Sequence, residues 1–124
     1  LVLCTLRSNS IQLHKQLTNL KLSQYFSKVL CASGNINPRW KLKYNIICEN
    51  LEYSSSLEGY FIGDTDTDIN AGNELNLTTI AVANGIRSRK ILVKAKPKYI
   101  IDSTHKIGKL ECFNFIGGLN NIVF

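Results

Sequence analysis

The sequence predicts an α/β protein of three layers, with a parallel sheet covered by helices on both faces. Two observations point there. Short apolar runs rich in β-formers alternate along the chain with stretches of helical spacing, and such alternation returns each strand to the sheet as a parallel neighbour. The chain's 124 residues, 44% of them apolar and 19% charged, suffice for one domain with a buried core.

Residues 1–4 (Leu-Val-Leu-Cys) read as the first strand, followed by a helix over about 9–20 in which Leu13, Leu17 and Leu20 share one face and pack. Tyr25 and Phe26 anchor a turn before a second strand at 28–31, and residues 33–38, ending in Asn37-Pro38, are a loop. The next helix starts near Lys43, with Tyr44, Ile47 and Leu51 on one stripe, and Ser54-Ser55-Ser56 ends it. Tyr60, Phe61 and Ile62 close a buried strand, and a helix spans 68–77. A β-rich run at 78–82, a helix at 87–95, a strand at 98–101 and a short helix capped by Thr104 complete the pattern. The tail from 111 to 124 either adds a strand or docks loosely.

The richest segment is Gly63-Asp64-Thr65-Asp66-Thr67-Asp68, which sets carboxylates where a strand gives way to a helix. Ligands of open α/β folds bind at that edge of the sheet. Magnesium favours carboxylate oxygens and retains waters, so an acidic loop facing a phosphate is chemically sensible. One Asp there is accounted for as a helix cap, but three within five residues repel unless a cation or donors offset them. A calcium loop is excluded, because Ile69 stands where its glycine belongs and Leu75 where its bidentate glutamate belongs.

Other classes are set aside on composition. No apolar run reaches the roughly 18 residues of a membrane span, and the start lacks the basic head of a signal peptide, so a cytoplasmic setting is expected. Cys4, Cys31, Cys48 and Cys112 are scattered, without metal-site or disulfide spacing, and are expected as buried thiols. The chain contains no methionine and opens inside a core strand, so a segment upstream is expected to be missing.

The order of these features resembles the haloacid dehalogenase-like (HAD) superfamily, and within it the phosphoglycolate-phosphatase-like members. Gly63, Asp64 and Asp68 match the fourth family motif, G-D-x-x-x-D, which is the specific one. The strand ending in Thr5 is similar to the second motif, and Lys43, with Lys41 as the alternative, to the lysine of the third. The resemblance spans residues 1–110 and implies a Rossmann-like core, with 111–124 as a tail of uncertain structure. It also implies a magnesium-dependent phosphohydrolase that acts on a small phosphate ester through an aspartyl-phosphate. Asp64 and Asp68 would serve the metal, Asp68 by orienting its waters, while Lys43 and Thr5 would hold phosphoryl oxygens. The first motif, D-x-D-x-T, which carries the nucleophile, is absent from the chain. Its strand sits centrally in the family's sheet, so the neighbours are expected to show unpaired edges, and the chain alone to be inactive and poorly stable. The stretch between Thr5 and Lys43 leaves no room for an inserted cap domain.

A different class of reading begins from charge. The chain carries 15 Lys and Arg against 9 Asp and Glu, and Arg87, Arg89, Lys90, Lys94, Lys96 and Lys98 crowd one region. A solvated helix face explains them better than a nucleic-acid footprint, because no aromatics are interleaved with them. The alternative to the enzyme is a non-catalytic relic of the family or a basic module that binds anions or nucleic acid.

Overall fold

The computed structural model describes residues 1–51, 58–110 and 122–124. Strand β1 (Val2–Thr5) leads through helix α1 (Ser10–Asn19) to β2 (Lys28–Cys31), and helix α2 (Trp40–Asn50) precedes β3 (Tyr60–Gly63). Helix α3 (Asp66–Glu74), β4 (Thr78–Val82), α4 (Arg89–Lys94), β5 (Tyr99–Ile101), a 3-10 turn (Thr104–Lys109) and β6 (Ile122–Val123) follow. All six strands join one parallel sheet in the order β2-β1-β6-β3-β4-β5.

Alternation along the strands divides the core. Phe61, Val2, Cys4 and Val123 face α2 and α3, packing with Ile47, Ala71 and Leu75. Tyr60, Ile62, Ile80, Val82 and Ile122 face the other way, where Ile107 and Leu110 of the 3-10 segment cover them. A third cluster, Ile69, Ala81 and Leu92, ties α4 to α3 and β4. Gly72 lets α3 approach closely, because a Cβ there would lie 2.6 Å from both Phe61 and Thr79. No helix among the described residues is long and apolar enough to cross a membrane.

Several boundaries differ from the sequence expectation. Helix α2 begins at Trp40 rather than near Lys43. The Trp40 and Tyr44 rings meet edge-on at 6.3 Å against the core, and this packing supports an extra first turn that the local apolar pattern does not announce. Helix α3 starts two residues before Asp68, capped by Thr65, and gives way at Leu75 because Asn76 turns into the left-handed region at φ 54°. Leu20 caps the end of α1 and is 66% exposed, so only Leu13 and Leu17 of the proposed stripe are buried. The turn before β2 is a short 3-10 segment (Ser23–Tyr25) capped by Phe26, which is half-buried while Tyr25 is exposed, and α4 buries Leu92 while Ile91 is 40% exposed. Ser103, whose side chain accepts from His105 N–H, caps the 3-10 turn in place of Thr104. Cys4 is buried, with Cys31 and Cys48 half-buried, and all three are free thiols. Ser54-Ser55-Ser56 and Cys112 lie outside the described residues.

The largest correction concerns the middle of the sheet. The expected unpaired edges of β1 and β3 do not face an empty slot: β6 lies between them, parallel to both, with Val123 opposite Val2 and Phe61. Phe124 extends the ladder, donating its N–H to Val2 O at 2.9 Å and accepting from Cys4 N–H at 2.7 Å. The apolar tail residues Ile122 and Val123, 7% and 0% exposed, bury themselves where a sheet would otherwise leave backbone groups unsatisfied.

Candidate functional site

Strand order reverses between β1 and β3. From β1 the chain builds outward to β2, then returns past the centre and builds outward the other way through β3, β4 and β5. Loops leaving the carboxyl ends of β1 and β3 therefore diverge, and a crevice opens at that edge. It is a cleft of about 530 Å³ lined by Thr5 at the end of β1 and Arg7 beyond it, Arg39 and Lys43 at the start of α2, Asp64 and Asp68 around the β3–α3 elbow, and Arg87 after β4. All four sequence-nominated residues, Thr5, Lys43, Asp64 and Asp68, line this one cleft.

Each is held by identifiable partners. Asp68 is buried and accepts on both oxygens. Its Oδ1 takes Lys43 Nζ in an ion pair, while its Oδ2 takes the N–H and the hydroxyl of Thr65 at 3.1 and 2.7 Å. The Asp68 N–H returns a bond to Thr65 Oγ1 at 3.2 Å, which makes a reciprocal capping box at the start of α3. Lys43 also donates to Cys4 O at 3.0 Å. An ammonium has three N–H donors, so one is left for an anion in the cleft. The alternative, Lys41, is exposed and stands over the Trp40 ring at 5.9 Å. Lys43 is thus the lysine directed into the site.

Asp64 is set differently. Ile86 N–H donates to its Oδ2 at 2.9 Å, and its Oδ1 has no partner among the described residues. Two glycines make room for the carboxylates. A Cβ on Gly63 would fall 2.3 Å from the Asp68 side chain, and one on Gly85 would fall 2.1 Å from Asp64 Oδ2. Thr5 Oγ1 accepts from Arg7 N–H at 3.3 Å, which leaves its own proton free to donate. The neighbouring Cys4 thiol is pushed up to about 11, chiefly by burial, with Lys43 pulling it back and Asp68 adding to the rise.

A cation would find oxygen donors here but not a preformed cage. Among the described residues no group of three or more His, Cys, Asp or Glu converges. The unpartnered Asp64 oxygen suits a hard ion that keeps most of its ligands as water or substrate, as magnesium does. Asp68 takes three donors, Lys43 Nζ on Oδ1 and the Thr65 N–H and hydroxyl on Oδ2, which fixes Lys43 and the elbow and leaves one lone pair on Oδ1.

Gly85 and the Ile86 N–H were not nominated from sequence. The Asn84-Gly85 dipeptide after the apolar run of β4 was the available signal, since such pairs mark turns that leave a strand. Arg39 was also missed, because its relation to Lys43 depends on the extra turn of α2. In the basic region, Arg87 pairs with Asp66 at 3.0 Å and Arg89 with Asp102 at 2.9 Å. Lys106 also pairs with Asp102 and holds that carboxyl below its ordinary range.

Comparison with known proteins agrees with this architecture. A family model described as HAD-hydrolase-like matches residues 29–107. Solved structures sharing the fold include a candidate phosphatase from Clostridium difficile, with 19% identity and a TM-score of 0.67 over 82% of this chain and 48% of that one. A predicted phosphatase from Clostridium acetobutylicum shares 25% identity with a TM-score of 0.65, over 82% of this chain and 47% of its own. A hydrolase of the haloacid dehalogenase-like family from Streptococcus pneumoniae gives 19% identity and a TM-score of 0.61, over 77% and 45%. The chain thus spans about half the length of the solved structures it matches. No curated protein matches it.

Proposed function

Because this chain belongs to the HAD-hydrolase-like family, we propose that it forms part of a magnesium-dependent phosphohydrolase. The substrate class in this reading is a small phosphate ester, and the attacking aspartate is that of the D-x-D-x-T motif, which these 124 residues do not contain. The observation that carries the reading is the meeting of Thr5, Lys43 and Asp64 in one cleft, with Asp68 pinning the lysine.

Each residue has a role set by its surroundings. The free N–H of Lys43 faces a phosphoryl oxygen as a charged donor, and the Thr5 hydroxyl donates to another. Asp68 holds Lys43 at one rotamer, so the ammonium needs no reorganisation when charge develops. Asp64, fixed by Ile86 N–H, offers its second oxygen to a divalent ion. Magnesium, when bound, supplies neutralisation of phosphoryl charge. Phosphoryl transfer relies mainly on positioning and electrostatics, which these side chains provide without themselves becoming covalently modified.

Titration calorimetry tests this on the chain as it stands. Mg2+ is expected to bind weakly and to strengthen the binding of inorganic phosphate, with Asp64→Asn removing that enhancement and Lys43→Gln weakening phosphate itself by roughly tenfold or more. Phosphate binding indifferent to Mg2+ and to both substitutions would defeat the assignment.

A further inference from the structure

The edge of the sheet away from the cleft holds a second cavity, of about 500 Å³, at the amino ends of β4 and β5. Its lining takes Asn73 and Asn76 from the end of α3 and the turn after it, Thr78 and Thr79 from the start of β4, and Lys96 and Lys98 from the loop that joins α4 to β5. Both lysines lie past the end of α4, so a solvated face of that helix does not account for them.

A closed polar network forms its floor. Thr79, 1% exposed, donates its hydroxyl to Asn73 Oδ1 at 2.9 Å and accepts from Lys98 N–H at 3.1 Å. The Asn73 amide in turn donates to Ala95 O at 2.9 Å and to Lys96 O at 3.4 Å. These bonds tie the loop to α3 and β4, and so fix where both lysines leave the backbone. The groups around the floor are unused. Among the described residues the Lys96 and Lys98 ammoniums, the Asn76 amide and the Thr78 hydroxyl have no hydrogen-bond or ion-pair partner.

Charge then selects the ligand. No carboxylate lines the cavity, and the carboxyl ends of α3 and α4 lend this edge at most roughly half a negative charge each, which two ammoniums outweigh. A phosphoryl group, at about −1.5 to −2, answers both ammoniums where a carboxylate answers one, and lysine serves phosphate as a point charge. The volume is within the range for small-molecule sites and exceeds what a phosphoryl group fills, which leaves room for a body whose hydroxyls meet Asn76 and Thr78.

We propose that this cavity is a second ligand site, separate from the cleft, which binds a small hydroxylated molecule through a phosphoryl group held by Lys96 and Lys98. Amide chemical shifts of the 15N-labelled chain, followed in Mg2+-free buffer at fixed ionic strength, test this residue by residue. The probes are ribose 5-phosphate, inorganic phosphate and ribose. Ribose 5-phosphate is expected to move the Leu77, Lys96 and Lys98 N–H signals along one saturating curve and to bind roughly three- to tenfold tighter than inorganic phosphate, while ribose moves none of them. The double variant Lys96→Gln/Lys98→Gln should weaken ribose 5-phosphate roughly tenfold or more. Both side chains are exposed, so folding is not at stake, and unchanged Phe61 and Ile62 signals certify it. Lys15→Gln/Lys90→Gln removes the same charge from exposed positions outside the cavity and should alter the affinity less than about twofold.

Still signals at Leu77, Lys96 and Lys98, shifts that rise without saturating, or ribose 5-phosphate binding no tighter than inorganic phosphate would overturn the site. So would affinity that survives Lys96→Gln/Lys98→Gln, or that falls equally in both double variants. A ligand in the cleft moves the Ile86 N–H instead, which donates to Asp64, so the two sites are scored separately in one titration.

Discussion

Lys43→Met is the most informative single change, because it removes one half of a buried ion pair and nothing else of comparable polarity. The Lys43 and Asp68 side chains are 10% and 7% exposed. Without the ammonium, Asp68 Oδ1 loses its donor, while Oδ2 keeps the two from Thr65. Breaking a buried pair by deleting one partner typically costs 3–5 kcal/mol, and the retained Thr65 bonds place the expectation at the lower end, about 3 kcal/mol. Asp68→Asn removes the counter-charge of Lys43 and leaves one acceptor oxygen for Lys43 and Thr65 together, which should cost about 2–3 kcal/mol, part of it from a weakened capping box. In the double variant the orphaned charges disappear together, so its loss should fall short of the sum by roughly 2 kcal/mol. Urea unfolding followed by circular dichroism measures all four proteins, and an unchanged slope with denaturant certifies a comparable unfolded state. Additivity within about 0.5 kcal/mol, or a Lys43→Met loss below about 1 kcal/mol, would refute the claim that this pair holds α2 to α3.

Two further outcomes follow from the same geometry. Gly85→Ala drives a methyl group into Asp64 and should lower stability by about 1–3 kcal/mol while weakening Mg2+ binding, whereas Gly108→Ala, with nothing within 4 Å of its Cβ, should do neither; thermal melts and calorimetry on the pair decide it. The Cys4 thiol rises from 9.0 to about 11 on folding, so the folded state holds the proton more tightly. Its contribution is complete below pH 9 and is lost as pH climbs through 11, a change of about 3 kcal/mol that Cys4→Ala should remove from the stability–pH curve. A curve unaltered by that substitution would contradict the burial of the thiol.

How much was legible in sequence varies with the range of the interaction. The bounds of β2 and β4 were readable to the residue, because a run of β-branched and apolar residues between turn signals depends on nothing distant. The acidic elbow was readable for the same reason: Gly63, Asp64 and Asp68 lie within six residues, and their spacing already sets strand, turn and helix. The first turn of α2 was not, since Trp40 and Tyr44 gain their packing only against a sheet whose strands come from elsewhere. Choosing Lys43 over Lys41 also required the fold, because the two differ only in which wall of α2 faces Cys4 and Asp68.

The placement of β6 is the sharpest case. Residues 122–124 carry too short a pattern to declare a strand, and nothing local selects the gap between β1 and β3, more than fifty residues distant on the nearer side. The sequence by itself determined the alternating α/β layout, the residues of the elbow and the family. The tertiary structure alone decided that Ile86 and Arg39 share the cleft with them and that Gly85 backs Asp64, because contacts between segments far apart in the chain are fixed by burial and sheet pairing, which no local spacing records.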